Sequence, residues 1–93
     1  MLRDKEIGDT PEVLALKALA HVAGHDDLGP RFLALTGLDS DNLRAQAGEP
    51  MMLAAVLDFL AAHEADLIST AAALGTTPER LAAAARALGG WDA

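Results

Sequence analysis

Two histidines four positions apart are the first residues whose spacing could support chemistry. His21 and His25 are followed by Asp26 and Asp27, and two imidazoles at i, i+4 on one helix face can bind a single metal ion. Gly24 lies between the histidines, however, and glycine commonly ends a helix. We therefore expect the common helix face to be lost, with both rings near a helix C-terminus where positive charge is favourable. The sequence predicts no metal site here.

The stretch "HEAD" at residues 63–66 is the densest group of titratable side chains. Consecutive residues of a helix point in different directions, so His63 and Glu64 would not share a face. The chain has no cysteine and no tyrosine, and Ser40 and Ser69 have no obvious histidine and acid partners. We therefore predict no catalytic residues, no cofactor and no enzymatic activity.

A third polar stretch, "DSDN" at residues 39–42, begins like a calcium-binding loop. The later positions of that loop require oxygen ligands and a glycine, and this chain departs from the pattern at all of them. Asp39 or Ser40 as the N-cap of a short helix explains the stretch completely.

The segment "LISTAAALGTTPERLAAAARALGG", residues 67–90, has the small-residue and glycine spacing of a helix-turn-helix. A recognition helix must present side chains that bond base edges and cations that contact phosphates. The second helix of this segment presents mainly methyl groups, and Arg80 and Arg86 are its cations. We interpret the segment as a tight helix corner, and keep a DNA-binding regulator as the alternative function.

Charge and length also restrict the function. The 93 residues carry a formal net charge of −7, which disfavours contact with nucleic acid or an anionic membrane. The charged N-terminal residues lack the apolar run of a secretory signal. The longest apolar run, "MMLAAVLDFLAA", contains Asp58 and is too short to cross a bilayer of about 30 Å. A cytoplasmic protein with neither a nucleic acid nor a membrane partner is expected.

Residues typical of helix ends and apolar residues at helical spacing predict an all-α fold, a single small bundle of five to six short helices. Thr10, Asp39 or Ser40, and Thr77 are expected N-caps. Pro11, Pro30, Pro50 and Pro78 are expected to open helices, and the two short helices are expected to end at Gly37 and Gly48. No strand-type alternation occurs. We predict a helical domain over residues 10–89, a disordered or loosely ordered segment over 1–9, and a short tail over 90–93.

The apolar residues at helical spacing predict which faces are buried. The first helix is expected to bury Val13, Leu16, Leu19, Ala20 and Ala23. The strongest face begins after Pro50, with Leu57 and Leu60 at its centre, and comprises Leu53, Val56, Leu57, Leu60, Leu67, Ile68, Ala71 and Leu74. Glu64 interrupts it, so residues 50–74 form either one kinked helix or two helices meeting near His63.

Four segments taken in order, "ALKALAHVAG", "RFLALTGLD", "LAAVLDFLAAHEADL" and "LGTTPERLAAAARALGG", resemble a family of small alphaproteobacterial proteins, domain of unknown function 3572. The resemblance covers residues 11 to 90, nearly the whole chain. It implies a helical cytosolic protein, and it implies no activity and no site residues.

What remains is the surface. Phe32, Leu33 and Leu35 in one short helix cannot all share a narrow stripe at about 100° per residue. Either this helix is buried nearly all round, or it contributes to an exposed apolar patch. Trp91 follows two glycines and is expected to be at least partly exposed. We predict a protein–protein interaction or adaptor module, with Phe32, Leu35 and Trp91 as the partner-binding candidates. The partner is an unidentified protein or, in a homodimer, a second copy.

Overall fold

The computed structural model describes residues 10–89, and the secondary structure in this range is helical. There are six in this range and no strand: α1 Pro11–Ala23, α2 Leu28–Thr36, α3 Ser40–Ala45, α4 Pro50–Ala61, α5 Glu64–Leu74 and α6 Pro78–Gly89. The predicted all-α fold is confirmed. The predictions for residues 1–9 and 90–93, including Trp91, lie outside the described residues.

Local hydrogen bonds explain where several helices begin and end. Thr10, Asp39 and Thr77 each accept a hydrogen bond from the backbone N–H three residues later, at 3.1, 2.8 and 3.1 Å. Such bonds satisfy N–H groups of the first helical turn, which lack the usual helical partner. The Arg80 N–H also donates to the backbone carbonyl of Thr77, at 3.1 Å. Helices α2 and α5 end at Gly37 and Gly75, which adopt left-handed φ values of 77° and 74°. Glycine reaches this conformation without the steric cost of a side chain.

Helices α1, α4 and α6 form the centre of the bundle and pack extensively against one another. Leu57 and Leu60 of α4 are completely buried, as the sequence predicts, and Leu81 of α6 is nearly so. Helix α5 packs against all three central helices, and α2 packs against α1. The core therefore lies between α1, α4 and α6, with α2 and α3 at one edge.

The helix breaks between α4 and α5, so residues 50–74 form two helices rather than one kinked helix. His63 has an extended backbone, with φ −131° and ψ 106°. The break shifts the helical phase, so α5 turns Leu67, Thr70, Ala71 and Leu74 inward. Ile68, which a continuous period places in the core, is 49% exposed. The prediction for Ile68 is wrong because the period does not continue across the break.

Helix α1 also buries a different face from the predicted one. Leu19 is buried as expected, but Val13 and Leu16 are 39% and 43% exposed, and Ala20 and Ala23 are exposed. The buried stripe comprises Leu14, Ala15, Ala18, Leu19 and Val22. Two apolar stripes overlap on this helix, and the buried one contains the small residues that allow neighbouring helices to approach closely. The other stripe remains at the surface.

Helices α2 and α3 differ from prediction at their ends. Helix α2 begins at Leu28, two residues before the expected Pro30, and α3 ends at Ala45, before the expected Gly48. Gly29, in the first turn of α2, is buried. A Cβ atom there would lie 3.0 Å from the carbonyl oxygen of Val22. The absence of a side chain thus lets α2 start directly against the end of α1.

Candidate binding surfaces

A shallow apolar groove of about 830 Å³ lies between α2 and α4. Leu35 forms part of one wall and is 69% exposed. This α2–α4 groove is lined by Arg31, Ala34, Leu35, Thr36, Ala55, Asp58, Phe59, Ala62 and His63. Leu35, predicted as a partner-binding residue, therefore lies at the surface within a concave, mainly apolar site.

Arg31 fixes one end of the α2–α4 groove. Its guanidinium donates hydrogen bonds to Asp66 at 2.8 Å and Asp27 at 2.9 Å, and it lies over the ring of Phe59, 5.5 Å from the centroid. The hydrogen bond with Asp66, followed by that with Asp27, raises the pKa of Arg31 above its ordinary value. Arg31 thereby ties α2 to α5 and covers the aromatic floor of the groove.

Phe32 does not belong to this surface. Its side chain is completely buried and packs against Phe59 with ring centroids 5.2 Å apart. In this fold Phe32 therefore presents no side-chain surface to the partner that the sequence led us to expect for it. Phe32 and Leu35 are three positions apart and so lie about 60° from each other around the helix. Phe32 packs into the core, and Leu35 lies at the exposed edge of the same side of α2.

Met51 extends the apolar character of the same side of α4, and sequence reasoning did not identify it. It is 85% exposed and shares the i, i+4, i+7 face of Ala55 and Asp58. The sequence of α4 does not show that Met51 is exposed, because apolar residues occur all round this helix and buried and exposed ones cannot be told apart by type.

A second concavity, the α1–α2–α3 cleft, encloses about 480 Å³ and is also mainly apolar. The exposed stripe of α1 forms one wall, and Gly29 lies where α2 approaches α1 most closely. The floor includes the buried side chains of Phe32, Val22 and Leu43. Ser40 and Arg44 of α3 supply its polar side chains. The sequence did not predict this cleft, because it is formed by three helices brought together in the fold.

The two histidines lie closer together than the interrupted helix suggested. Gly24 ends α1 as predicted, but the ring of His25 lies 5.5 Å from that of His21, centroid to centroid. His25 Nδ1 accepts hydrogen bonds from the backbone N–H groups of Asp27 and Leu28, both at 3.1 Å. His25 therefore caps the start of α2. Within residues 10–89, no three histidine, aspartate or glutamate side chains are grouped so that they could hold a metal ion.

The helix-turn-helix segment forms the corner between α5 and α6. Ala71 and Leu81 are each 1% exposed, and Gly75 takes the left-handed turn conformation. The inward face of α6 is occupied by the core, while Arg80 and Arg86 are exposed. The spacing thus produces a helix corner. Among its described residues, α6 carries two cations, Arg80 and Arg86, and one acid, Glu79.

The remaining titratable residues of "HEAD" do not converge. His63 and Glu64 are exposed, and Asp66 accepts a hydrogen bond from Arg31.

In the described range, no helix combines the length and apolarity needed to span a membrane.

Residues 10–89 form a small all-α domain whose surface includes the α2–α4 groove and the α1–α2–α3 cleft. The chain belongs to the family described as "Protein of unknown function (DUF3572)", which matches residues 8–91. The alphaproteobacterial origin implied by the resemblance stays a prediction. No curated protein and no solved structure matches the chain.

Proposed function

We propose that this protein is a cytoplasmic protein–protein interaction module that binds an amphipathic helix of another protein in the α2–α4 groove. The exposure of Leu35 inside an apolar groove supports this proposal most directly. An isolated exposed leucine is ordinary, whereas a contiguous apolar concavity marks a site of interaction.

The shape of the groove favours a helix as its occupant. The walls are helices α2 and α4, whose backbone groups are already hydrogen-bonded along their length. An extended peptide would find few backbone partners there, while a helix satisfies its own backbone and needs only an apolar surface. Apolar side chains at i, i+3, i+4 and i+7 of the partner helix would contact Ala34, Leu35 and Ala62, which are exposed in the groove.

The charges around the groove favour a basic partner. Asp58 lines the groove, and Asp27 and Asp66 flank the single guanidinium of Arg31. Three carboxylates thus accompany one arginine. A second copy of the chain would also carry −7, so self-association works against electrostatic repulsion. A helix flanked by lysine or arginine is complementary to this rim.

The test uses a helical peptide with leucine at i, i+3, i+4 and i+7 and lysine at the flanking positions. Amide chemical shifts of the labelled protein should move within residues 31–36 and 55–62. Leu35→Asp should weaken binding by about tenfold, equivalent to about 1.4 kcal/mol. Ile68→Asp is the matched control, because Ile68 is exposed on α5 outside the groove, and should bind as the wild type does.

Three results would contradict the proposal. They are no shift changes in α2 and α4, equal weakening by both substitutions, and equal binding of a peptide with glutamate in place of lysine. Concentration-dependent dimerisation abolished by Leu35→Asp would instead identify a second copy as the occupant. Interaction proteomics with wild type and Leu35→Asp would then search for the natural partner.

A further inference from the structure

We infer that the α1–α2–α3 cleft binds a free single-chain carboxylate, an amphipathic molecule with an alkyl body and an anionic head group. This site is separate from the α2–α4 groove, and the inference does not depend on the interaction proposed there. It rests on the volume, lining and charge of the cleft.

The volume and the lining indicate a small apolar ligand. About 480 Å³ lies within the range of small-molecule sites, roughly 300–1,000 Å³. Val22 and Phe32 lie completely buried beneath the cleft and Leu43 is nearly so, while Leu16 and Ala20 are exposed in its wall. An alkyl chain has no polar groups to satisfy, whereas an extended peptide would bury backbone N–H and C=O groups against apolar side chains.

The charge of the cleft selects an anionic head group. Among the described residues that line the cleft, Arg44 is the only charged one, in a protein whose formal net charge is −7. Its described ion pair is a long one, 3.8 Å to Asp41, and both side chains are largely exposed. Such a pair is weak, so the guanidinium can reorient toward a ligand carboxylate. The hydroxyl of Ser40 in the same lining is a second donor for that head group.

The attachment of α3 provides a route into the cleft. Within this six-residue helix Leu43 is the one buried residue, and α3 is absent from the extensively packed helix pairs. Moving α3 outward would cost few contacts, and it would open the wall that carries both polar side chains. The described structure thus combines an apolar floor with a weakly held polar wall.

The experiment is calorimetric titration of the intact protein with sodium dodecanoate below its micelle-forming concentration, compared with dodecan-1-ol. We expect saturable binding with one site, and the carboxylate should bind about two- to fivefold more tightly than the alcohol, as expected for an exposed charge pair. Arg44→Gln should remove this preference. Arg86→Gln, at an exposed arginine of α6 outside the cleft, should keep it.

A second pair of variants tests the apolar body of the site. Ala20→Phe places a ring in the cleft at an exposed helical position, and should weaken dodecanoate binding by about tenfold or more. Ala72→Phe makes the same change at an exposed position of α5 outside the cleft, and should have no effect. Helicity is checked by circular dichroism, and Ala23→Phe replaces Ala20→Phe if the latter does not fold.

The outcomes that would overturn the inference are specific. Binding that never saturates below the micelle-forming concentration, or that persists unchanged in the folded phenylalanine variant, would show that the cleft is not the site. Equal affinity for the carboxylate and the alcohol in the wild type would overturn the anionic head group and the role of Arg44.

Discussion

Arg31 of α2 donates a 2.8 Å hydrogen bond to Asp66 of α5, a residue 35 positions further along the chain. The two side chains are 37% and 21% exposed, so the pair is partly shielded from water. Helices α2 and α5 have few other contacts. This pair therefore ties the α2 wall of the groove directly to α5, in addition to the packing of α2 against α1.

Breaking the Arg31–Asp66 pair should lower the free energy of unfolding by less than truncating a large core side chain does. A double-mutant cycle with Arg31→Met and Asp66→Asn should give a favourable coupling energy that falls as salt increases. The raised pKa of Arg31 means that its stabilisation is present below the unfolded-state pKa, and is lost only as pH rises through the folded value. Additive single effects in denaturant unfolding would show that the pair contributes nothing.

Leu57→Ala and Leu60→Ala should each reduce the free energy of unfolding by about 2–5 kcal/mol, because both side chains are completely buried. The matched control is Met51→Ala on the same helix, where the side chain is 85% exposed, and the change should stay within about 0.5 kcal/mol. Urea unfolding measures all three. Similar midpoints for Leu57→Ala and Met51→Ala would contradict the described core.

Thr70→Val should increase the free energy of unfolding by about 1 kcal/mol. Thr70 is completely buried, and its hydroxyl has no hydrogen-bond partner among the described residues. Removing an unsatisfied polar atom while keeping the side-chain shape is favourable. Thr36→Val is the control, since the Thr36 hydroxyl donates to the Phe32 carbonyl at 3.0 Å, and it should destabilise. Thermal unfolding in which both changes destabilise alike would argue for an unseen partner of Thr70.

Gly29→Ala should destabilise the domain by about 1–3 kcal/mol, because the new Cβ would lie 3.0 Å from the backbone oxygen of Val22. Gly48→Ala is the control, since a Cβ there meets nothing within 4 Å. It should be neutral or stabilising by about 0.4–1 kcal/mol, through reduced freedom of the unfolded chain. Equal melting temperatures for the two variants would mean that α2 can move away from α1 at little cost.

Duplex DNA should bind no better to this protein than to a neutral control protein at about 50 mM salt, because the phosphate charges oppose a domain of charge −7. An electrophoretic mobility shift with several sequences measures this. A sequence-selective shift at micromolar protein or below, lost in Arg80→Ala or Arg86→Ala, would support the DNA-binding alternative.

Local features of the fold were predictable from sequence because their causes are local. Thr10, Asp39 and Thr77 satisfy N–H groups only three residues away, and Gly75 supplies a turn conformation that other residues adopt with strain. Ile68 was misplaced because the break near His63 contains neither glycine nor proline, and a break without such a signal leaves the helical phase ambiguous.

The surfaces were less predictable because they depend on tertiary packing. Leu35 was identified, but Phe32, three positions earlier, was assigned to the same surface. The two positions lie only about 60° apart around the helix, so periodicity alone does not tell which of them packs against Phe59. The exposed stripe of α1 was assigned to the core because its residues are as apolar as the buried ones. The cleft needed the approach of Gly29 to the end of α1, which no periodicity reveals.

The cap that His25 provides for α2 also determines the tautomer of its imidazole. Because Nδ1 accepts from two backbone N–H groups, a neutral His25 ring must carry its proton on Nε2. The nitrogen chemical shifts of His25 therefore report whether the first turn of α2 is formed. A ring methylated at Nδ1 could not accept either bond, while one methylated at Nε2 could, so two isomers that differ only in one methyl position would distinguish a capped helix from an uncapped one.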